Sequence, residues 1–150
     1  MLNLLVGFGF RIERAITRVL RLEHRGVQAL AFAPGGALIL LELRYLRGWH
    51  LPGGRIKRNE TAQTAILREL YEEIGEVQFS RIEEIGAIDE VSRGIPTRIA
   101  LFRIDDVVVT RRRWPNLEVR SLCAFDLDNL PEHAETARDR LKRANDGKEF

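Results

Sequence analysis

Residues 51–76 read LPGGRIKRNETAQTAILRELYEEIGE, and the rest of the chain is organised around them. A glycine pair, Gly53-Gly54, leads into a helix-forming segment with three carboxylates, Glu69, Glu72 and Glu73. Thr61 suits the N-cap of that helix and Gly75 its C-terminal stop. Ile66, Leu67, Leu70 and Ile74 recur at helical spacing and predict its apolar stripe. At about 100° per residue, the three carboxylates fall within an arc of about 100°. That arc adjoins the apolar stripe, at the edge of the packed face. Like charges so close repel one another. A hard divalent cation, Mg²⁺ or Mn²⁺, would offset the repulsion, because both prefer oxygen ligands. The alternative is a plain solvated acidic face. The flanks favour the cation. Gly53-Gly54 lets backbone approach a ligand closely, and a carbonyl there could complete a metal site. Arg68, four residues before Glu72, can hold carboxylates by planar bidentate contacts.

Outward from this stretch, residues 26–43 predict a hairpin. GVQALAFA and ALILLELR are rich in apolar, β-compatible residues, and Pro34-Gly35-Gly36 supplies turn chemistry between them. Both strands are apolar along most of their length, as in a sheet covered on both faces. After the helix, residues 77–91 and 97–104 read as two strands separated by a loop at 92–96, and residues 118–126 as another. Leu130-Pro131 leads into a last, highly charged helix at about 132–144. Residues 9–23 form an amphipathic pattern, with Ile12, Ala15, Ile16, Val19 and Leu20 on one stripe and arginines largely off it. A helix packed on the domain, a homodimer contact and a membrane-surface helix all fit that pattern. The order of elements predicts an α/β domain, a mixed sheet with helices on both faces.

The chain has 150 residues, enough for one domain with its own core. A formal net charge of +2 does not argue for nucleic acid, and no apolar run approaches the ~20 residues of a membrane span. Met1–Phe10 is apolar but lacks a basic start and a cleavage site, which argues against a signal peptide. The single cysteine, Cys123, excludes an intramolecular disulfide and a cysteine-rich zinc site. Its apolar neighbours predict a small buried residue. The expected setting is the reducing cytoplasm.

Residues 54–76 resemble the Nudix box: Gly, five residues, Glu, seven residues, then Arg-Glu-apolar-any-Glu-Glu-any-Gly-apolar. Gly54 opens it, Glu60 follows at the required gap, and Arg68-Glu69-Leu70-Tyr71-Glu72-Glu73-Ile74-Gly75 completes the core. The last apolar place is held by Glu76, with Val77 next. The lead-in Gly48–Gly53, the segment Leu117-Glu118-Val119 and the turn Asp128–Pro131 extend a looser likeness over residues 26–145. The resemblance implies a Nudix-like α/β/α sandwich at 25–150, with residues 1–24 as a helix packed on or extending it. It implies a hydrolase that cleaves the pyrophosphate of a nucleoside diphosphate linked to another group, through metal-activated water attack on phosphorus. Glu72 and Glu73 would be the principal Mg²⁺ or Mn²⁺ ligands, with Glu69 a ligand or the base that orients water. The Gly54 carbonyl would add a ligand, and Glu60 and Arg68 would form a supporting ion pair. A nucleotide-sensing module without catalysis is the alternative, and the complete set of carboxylates argues against it.

Outside the box, Glu90 and Glu118 are candidates for an extra base or ligand, against solvated carboxylates as the plainer reading. Arg44, Arg47 and Arg55 flank the box and are placed to meet substrate phosphates. Tyr45 and Arg93 are further pocket candidates. Trp49 reads as core and His50 as structural. Arg111–Arg113 with Trp114 reads as a solvated basic loop. The chain carries no long specificity insertion, which favours a small nucleotide.

Overall fold

The computed structural model describes residues 24–113 and 115–147. The helix expected over 9–23 and the side chain of Trp114 lie outside these. The elements run β1 (His24–Ala31), β2 (Leu38–Leu43), β3 (Trp49–His50), β4 (Gly53–Arg55), α1 (Ala62–Glu73), β5 (Gly75–Gln78), β6 (Arg81–Ser92), β7 (Ile95–Asp105), β8 (Val108–Arg112), β9 (Val119–Phe125) and α2 (Glu135–Asn145). A 3₁₀ turn at Leu127–Asn129 precedes α2. No helix among the described residues is long and apolar enough to cross a membrane.

The strands pair as β4-β1-β7-β6, β3-β2-β9 and β5-β8. β1 and β7 run parallel and the other pairs antiparallel, so the largest sheet is mixed, as expected. Alternation along β1 and β2 explains their apolar composition. Val27, Ala29, Ala31, Ile39, Leu41 and Leu43 pack with Ala65, Ile66, Leu70 and Ile74 around α1. Leu30, Phe32, Leu38 and Leu40 pack with Ala134 and Ala137 at α2. Successive side chains on a strand point to opposite faces, so a strand between two helical layers has no polar side to show.

Several expectations need correction. β1 and β2 do not form a hairpin. The turn at 33–37 closes as expected, with Ala33 N donating to Ala37 O at 2.8 Å, but only Phe32 and Leu38 bridge across it. Beyond that bridge β1 is flanked by β4 and β7, while β2 pairs with β3 and β9. The strand expected at 77–91 is two, β5 and β6, parted at Phe79-Ser80. The loop expected at 92–96 is a two-residue turn, with Arg93 (φ 52°) and Gly94 (φ 79°) between the paired residues Ser92 and Ile95. Left-handed conformation at both central positions matches the twist of the flanking strands. Arg111 and Arg112 are exposed as expected, but they end strand β8 rather than lie in a loop.

Thr61 caps α1 as predicted, its Oγ1 accepting from Thr64 N at 3.1 Å. Leu67, placed on the apolar stripe by its spacing, is 36% exposed, and the buried face is Ala65, Ile66, Leu70 and Glu73. Gly75 does more than stop the helix. It opens β5 at φ 124°, where a Cβ would lie 2.1 Å from the Arg111 carbonyl. Glu76, where the box pattern has an apolar residue, is exposed at a β5/β8 register shift and faces Arg111 at 3.9 Å. Cys123 is exposed, not buried, because β9 is an outer strand of its sheet.

Candidate active site

The short strand β4 brings the glycine pair against α1. Gly53 N donates to Glu73 Oε2 at 3.0 Å, and Glu73 is only 6% exposed. A side chain at Gly53 would drive its Cβ to 2.1 Å from the Val27 carbonyl, and one at Gly54 would meet Glu69 Oε1 at 2.3 Å. Glycine at both places is what lets β4 lie between β1 and the carboxylates.

Arg68 gathers the acidic groups. Its Nε and Nη2 hold Glu60 Oε1 and Oε2 at 2.7 and 3.0 Å. Its Nη1 donates to Glu69 Oε1 at 2.7 Å and to Glu72 Oε2 at 3.2 Å. Nη2 also reaches the Arg55 carbonyl at 2.9 Å, tying the helix to β4. Glu60 accepts in addition from Lys57 N at 2.8 Å. The Arg68 hydrogen bonds first, and the Lys57 N–H second, pull the Glu60 carboxyl down to about 2. The Glu60 and Arg68 side chains are 10% and 19% accessible to solvent, and the bidentate pair fixes the guanidinium that also reaches Glu69 and Glu72. Its role is therefore geometric more than energetic.

One guanidinium does not balance this many carboxylates. Burial pushes Glu73 up to about 8; the charges of Glu69, Glu118 and Glu72 add to the effect and the Gly53 N–H opposes it. Glu69 is raised as well, chiefly by burial, against the pull of Arg68. A buried carboxylate short of positive charge is the condition a bound cation relieves. Among the described residues, no three acidic, histidine or cysteine side chains are already gathered as a metal cage. The donor chemistry still fits a hard cation: Glu69, Glu72 and Glu73 offer only oxygens and lie on one side of α1.

Glu73, Gly53, Gly54 and Arg55 form one end of a cleft of about 640 Å³ that continues between β1 and the β6/β7 turn. Tyr45, His50, Glu90 and Arg93 also line it, whereas Arg44 and Arg47 do not. Arg44 instead donates from its backbone N to Glu118 O at 2.8 Å and from Nε to Asn116 O at 3.3 Å. Arg47 is exposed, and its carbonyl lies 3.0 Å from His50 Nε2. Glu118 lies near enough to raise Tyr45 and Glu73 through its charge. Glu90 is held by Arg140 Nη2 at 2.5 Å. Trp49 packs edge-on against Phe125, with ring centroids 4.9 Å apart.

Three further residues were not singled out by the sequence. Asn116 Nδ2 donates to the carbonyls of Glu72 and Glu73 at 3.0 and 3.2 Å, and its Oδ1 accepts from Glu118 N and Val119 N. It thus satisfies the end of α1 and starts β9. Gln28 and Arg140 meet across 112 positions of sequence. Only Asn116 had a hint, the turn chemistry of Pro115-Asn116.

A family model described as NUDIX domain matches residues 22–144. An 8-oxo-dGTP diphosphatase from Proteus vulgaris is 40% identical over 50 residues, covering 33% of this chain and 41% of that protein. The match thus spans about two fifths of the length of that curated relative. A MutT NUDIX hydrolase from Burkholderia pseudomallei superposes with a TM-score of 0.69 at 23% identity, over 81% of this chain and 97% of that one. An ADP-ribose pyrophosphatase from Streptococcus suis gives a TM-score of 0.61 at 20% identity, over 83% and 91% of the two chains. At these identities the structural likeness is one of fold.

Proposed function

Because the chain belongs to the NUDIX domain family, we propose that it is a divalent-cation-dependent pyrophosphohydrolase acting on a small nucleotide. The observation that carries this reading is Glu73, buried at the end of the cleft beside Glu69 with more negative charge around it than Arg68 offsets. Glu69, Glu72, Glu73 and the Gly54 carbonyl would hold Mg²⁺ or Mn²⁺, which would neutralise charge on the phosphate oxygens and acidify water.

The chain's own residues supply position and a proton acceptor. Gly53 N–H fixes Glu73, and Arg68 fixes Glu69 and Glu72 against β4. Water attacks one phosphorus and forms a new P–O bond. The bridging P–O bond breaks, its electron pair leaves with the departing phosphate, and the water proton passes to a carboxylate. Glu69 is our choice of acceptor, as an alternative to a ligand role, because it lies against Gly54 at the end of the cleft while the Gly53 N–H already holds Glu73. Arg55 lines the cleft beside Gly54, where it would meet a substrate phosphate.

Incubation with nucleoside triphosphates (8-oxo-dGTP included), ADP-ribose and UDP-sugars, with Mg²⁺ or Mn²⁺, tests the reading. Product chromatography should show a nucleoside monophosphate released from at least one of them, and no release in chelator. No turnover across the panel would reject catalysis. A second expectation concerns Gly54→Ala, whose Cβ would displace the end of the Glu69 side chain rather than backbone. The thermal midpoint should hardly move while kcat falls by about 10–100-fold, as for loss of a supporting contact at a metal site. An unchanged kcat would separate Glu69 from the chemistry.

A further inference from the structure

The far wall of the cleft is built around a buried arginine that the pyrophosphate chemistry does not use. Arg140 of α2 is 4% exposed. Its Nη2 donates to Glu90 Oε2 at 2.5 Å, its Nε to Gln28 Oε1 at 3.0 Å and its Nη1 to Asp139 Oδ2 at 2.5 Å. Gln28 and Glu90 come from β1 and β6, the strands on either side of β7, and both line the cleft. Gln28 also lies opposite Gly53, whose N–H anchors Glu73. Gln28 is therefore one strand pairing from the Gly53 that anchors Glu73, and Glu90 two strands further along the same sheet.

An arginine only donates hydrogen bonds, so each group facing it must turn an oxygen towards it. That settles the Gln28 amide: its oxygen is on Arg140, and its NH₂ is left for the cleft. Glu90 has one oxygen on Arg140 and keeps the other as a charged acceptor. Because Arg140 is buried and held by three partners, this donor and this acceptor are set before any ligand arrives.

We infer that Gln28 and Glu90, clamped by Arg140, read the base of the nucleotide and select a carbonyl oxygen next to a ring N–H, the edge of a 6-oxopurine. The inference rests on the nucleotide reading above and names the base. The carbonyl accepts from the Gln28 NH₂. The ring N–H is a more acidic donor than an exocyclic amine and so bonds the Glu90 carboxylate more strongly. Adenine can offer its N1 to Gln28 and its N6 amine to Glu90, so the preference comes from the stronger charge-assisted bond that the ring N–H makes to the carboxylate.

The test is calorimetric binding of GMP and AMP to the full chain, to Gln28→Glu and to Glu90→Gln. Each variant keeps an oxygen for Arg140 and inverts the atom shown to the cleft. The unsubstituted chain should bind GMP about tenfold tighter than AMP, and each variant, assayed well below its thermal midpoint, should lose that preference. A purely structural role for the two residues would leave the GMP/AMP ratio unmoved. Equal affinities in the unsubstituted chain, a ratio unchanged in both variants, or no binding of either monophosphate overturns the inference. The two readings fail separately. Base discrimination without turnover of any nucleotide retires the hydrolase and keeps the base reader, whereas turnover without base preference does the reverse.

Discussion

Glu73→Gln is expected to lower kcat by about a thousandfold or more, the rate equivalent of ~4 kcal/mol of lost charge stabilisation. The same substitution should stabilise the metal-free protein. Burial raises the Glu73 carboxyl from 4.5 to about 8, so the folded state binds its proton more tightly than the unfolded state. Stability from this group is fully present below about pH 4.5 and is lost progressively as pH rises through 8. Glu69, also raised, acts in the same direction. Glutamine keeps an oxygen for the Gly53 N–H and has no charge to bury. In chelator, the variant should therefore melt above the parent at pH 8, with the gap closing towards pH 4.5. Added Mn²⁺ should raise the parent's midpoint more at pH 8 than at pH 6, and the variant's much less. Melting curves at several pH values with and without metal check every part of this. A variant less stable than the parent at pH 8 would mean that Glu73 is satisfied without a cation.

Gly53→Ala is expected to damage fold and site together. The backbone there has φ 156°, and the new Cβ would lie 2.1 Å from the Val27 carbonyl and 2.9 Å from the Gln28 Cα. These are backbone atoms of the central sheet, so rotating a side chain cannot relieve the contact. The cost should be on the order of 3 kcal/mol, a fall of about 10 °C in thermal midpoint for a domain of this size. β4 must move away from β1, and the N–H that anchors Glu73 moves with it. Activity should fall even at temperatures where the variant is folded, in contrast to Gly54→Ala, where only Glu69 shifts. Thermal melts paired with kcat well below the midpoint distinguish the two glycines. Equal behaviour would show that the spacing between β1 and β4 is not what holds the carboxylate.

What could be read from the sequence was local. Thr61 capping α1, the turn at 33–37 and the acidic arc on α1 all depend on residues within a few positions of one another, and the helix repeat or turn chemistry sets their geometry. The Leu67 position shows the limit even there. Its spacing fits the stripe, but the buried face of α1 is decided by which side meets β1 and β2, and Glu73 takes the place that hydrophobicity alone would give to leucine. Strand pairing was harder still. An apolar strand buried on both faces carries no mark of its neighbours, so β1 and β2 looked like partners when each belongs to a different set of strands. β8 was hidden because exposed arginines on a peripheral two-stranded pair look like a basic loop.

The sequence by itself determined the chemistry on offer: carboxylates at helical spacing, an arginine among them, and glycines where a strand must come close. Covalent spacing along one helix is enough for that, since the helix geometry is the same wherever it packs. Tertiary structure alone decided the environment of those groups. It buried Glu73 against Gly53, set Asn116 on the end of α1, and brought Gln28, Glu90 and Arg140 to one wall from three distant segments. Burial and long-range pairing arise only when sheets and helices close on each other, because desolvation depends on everything that surrounds a group rather than on its neighbours along the chain.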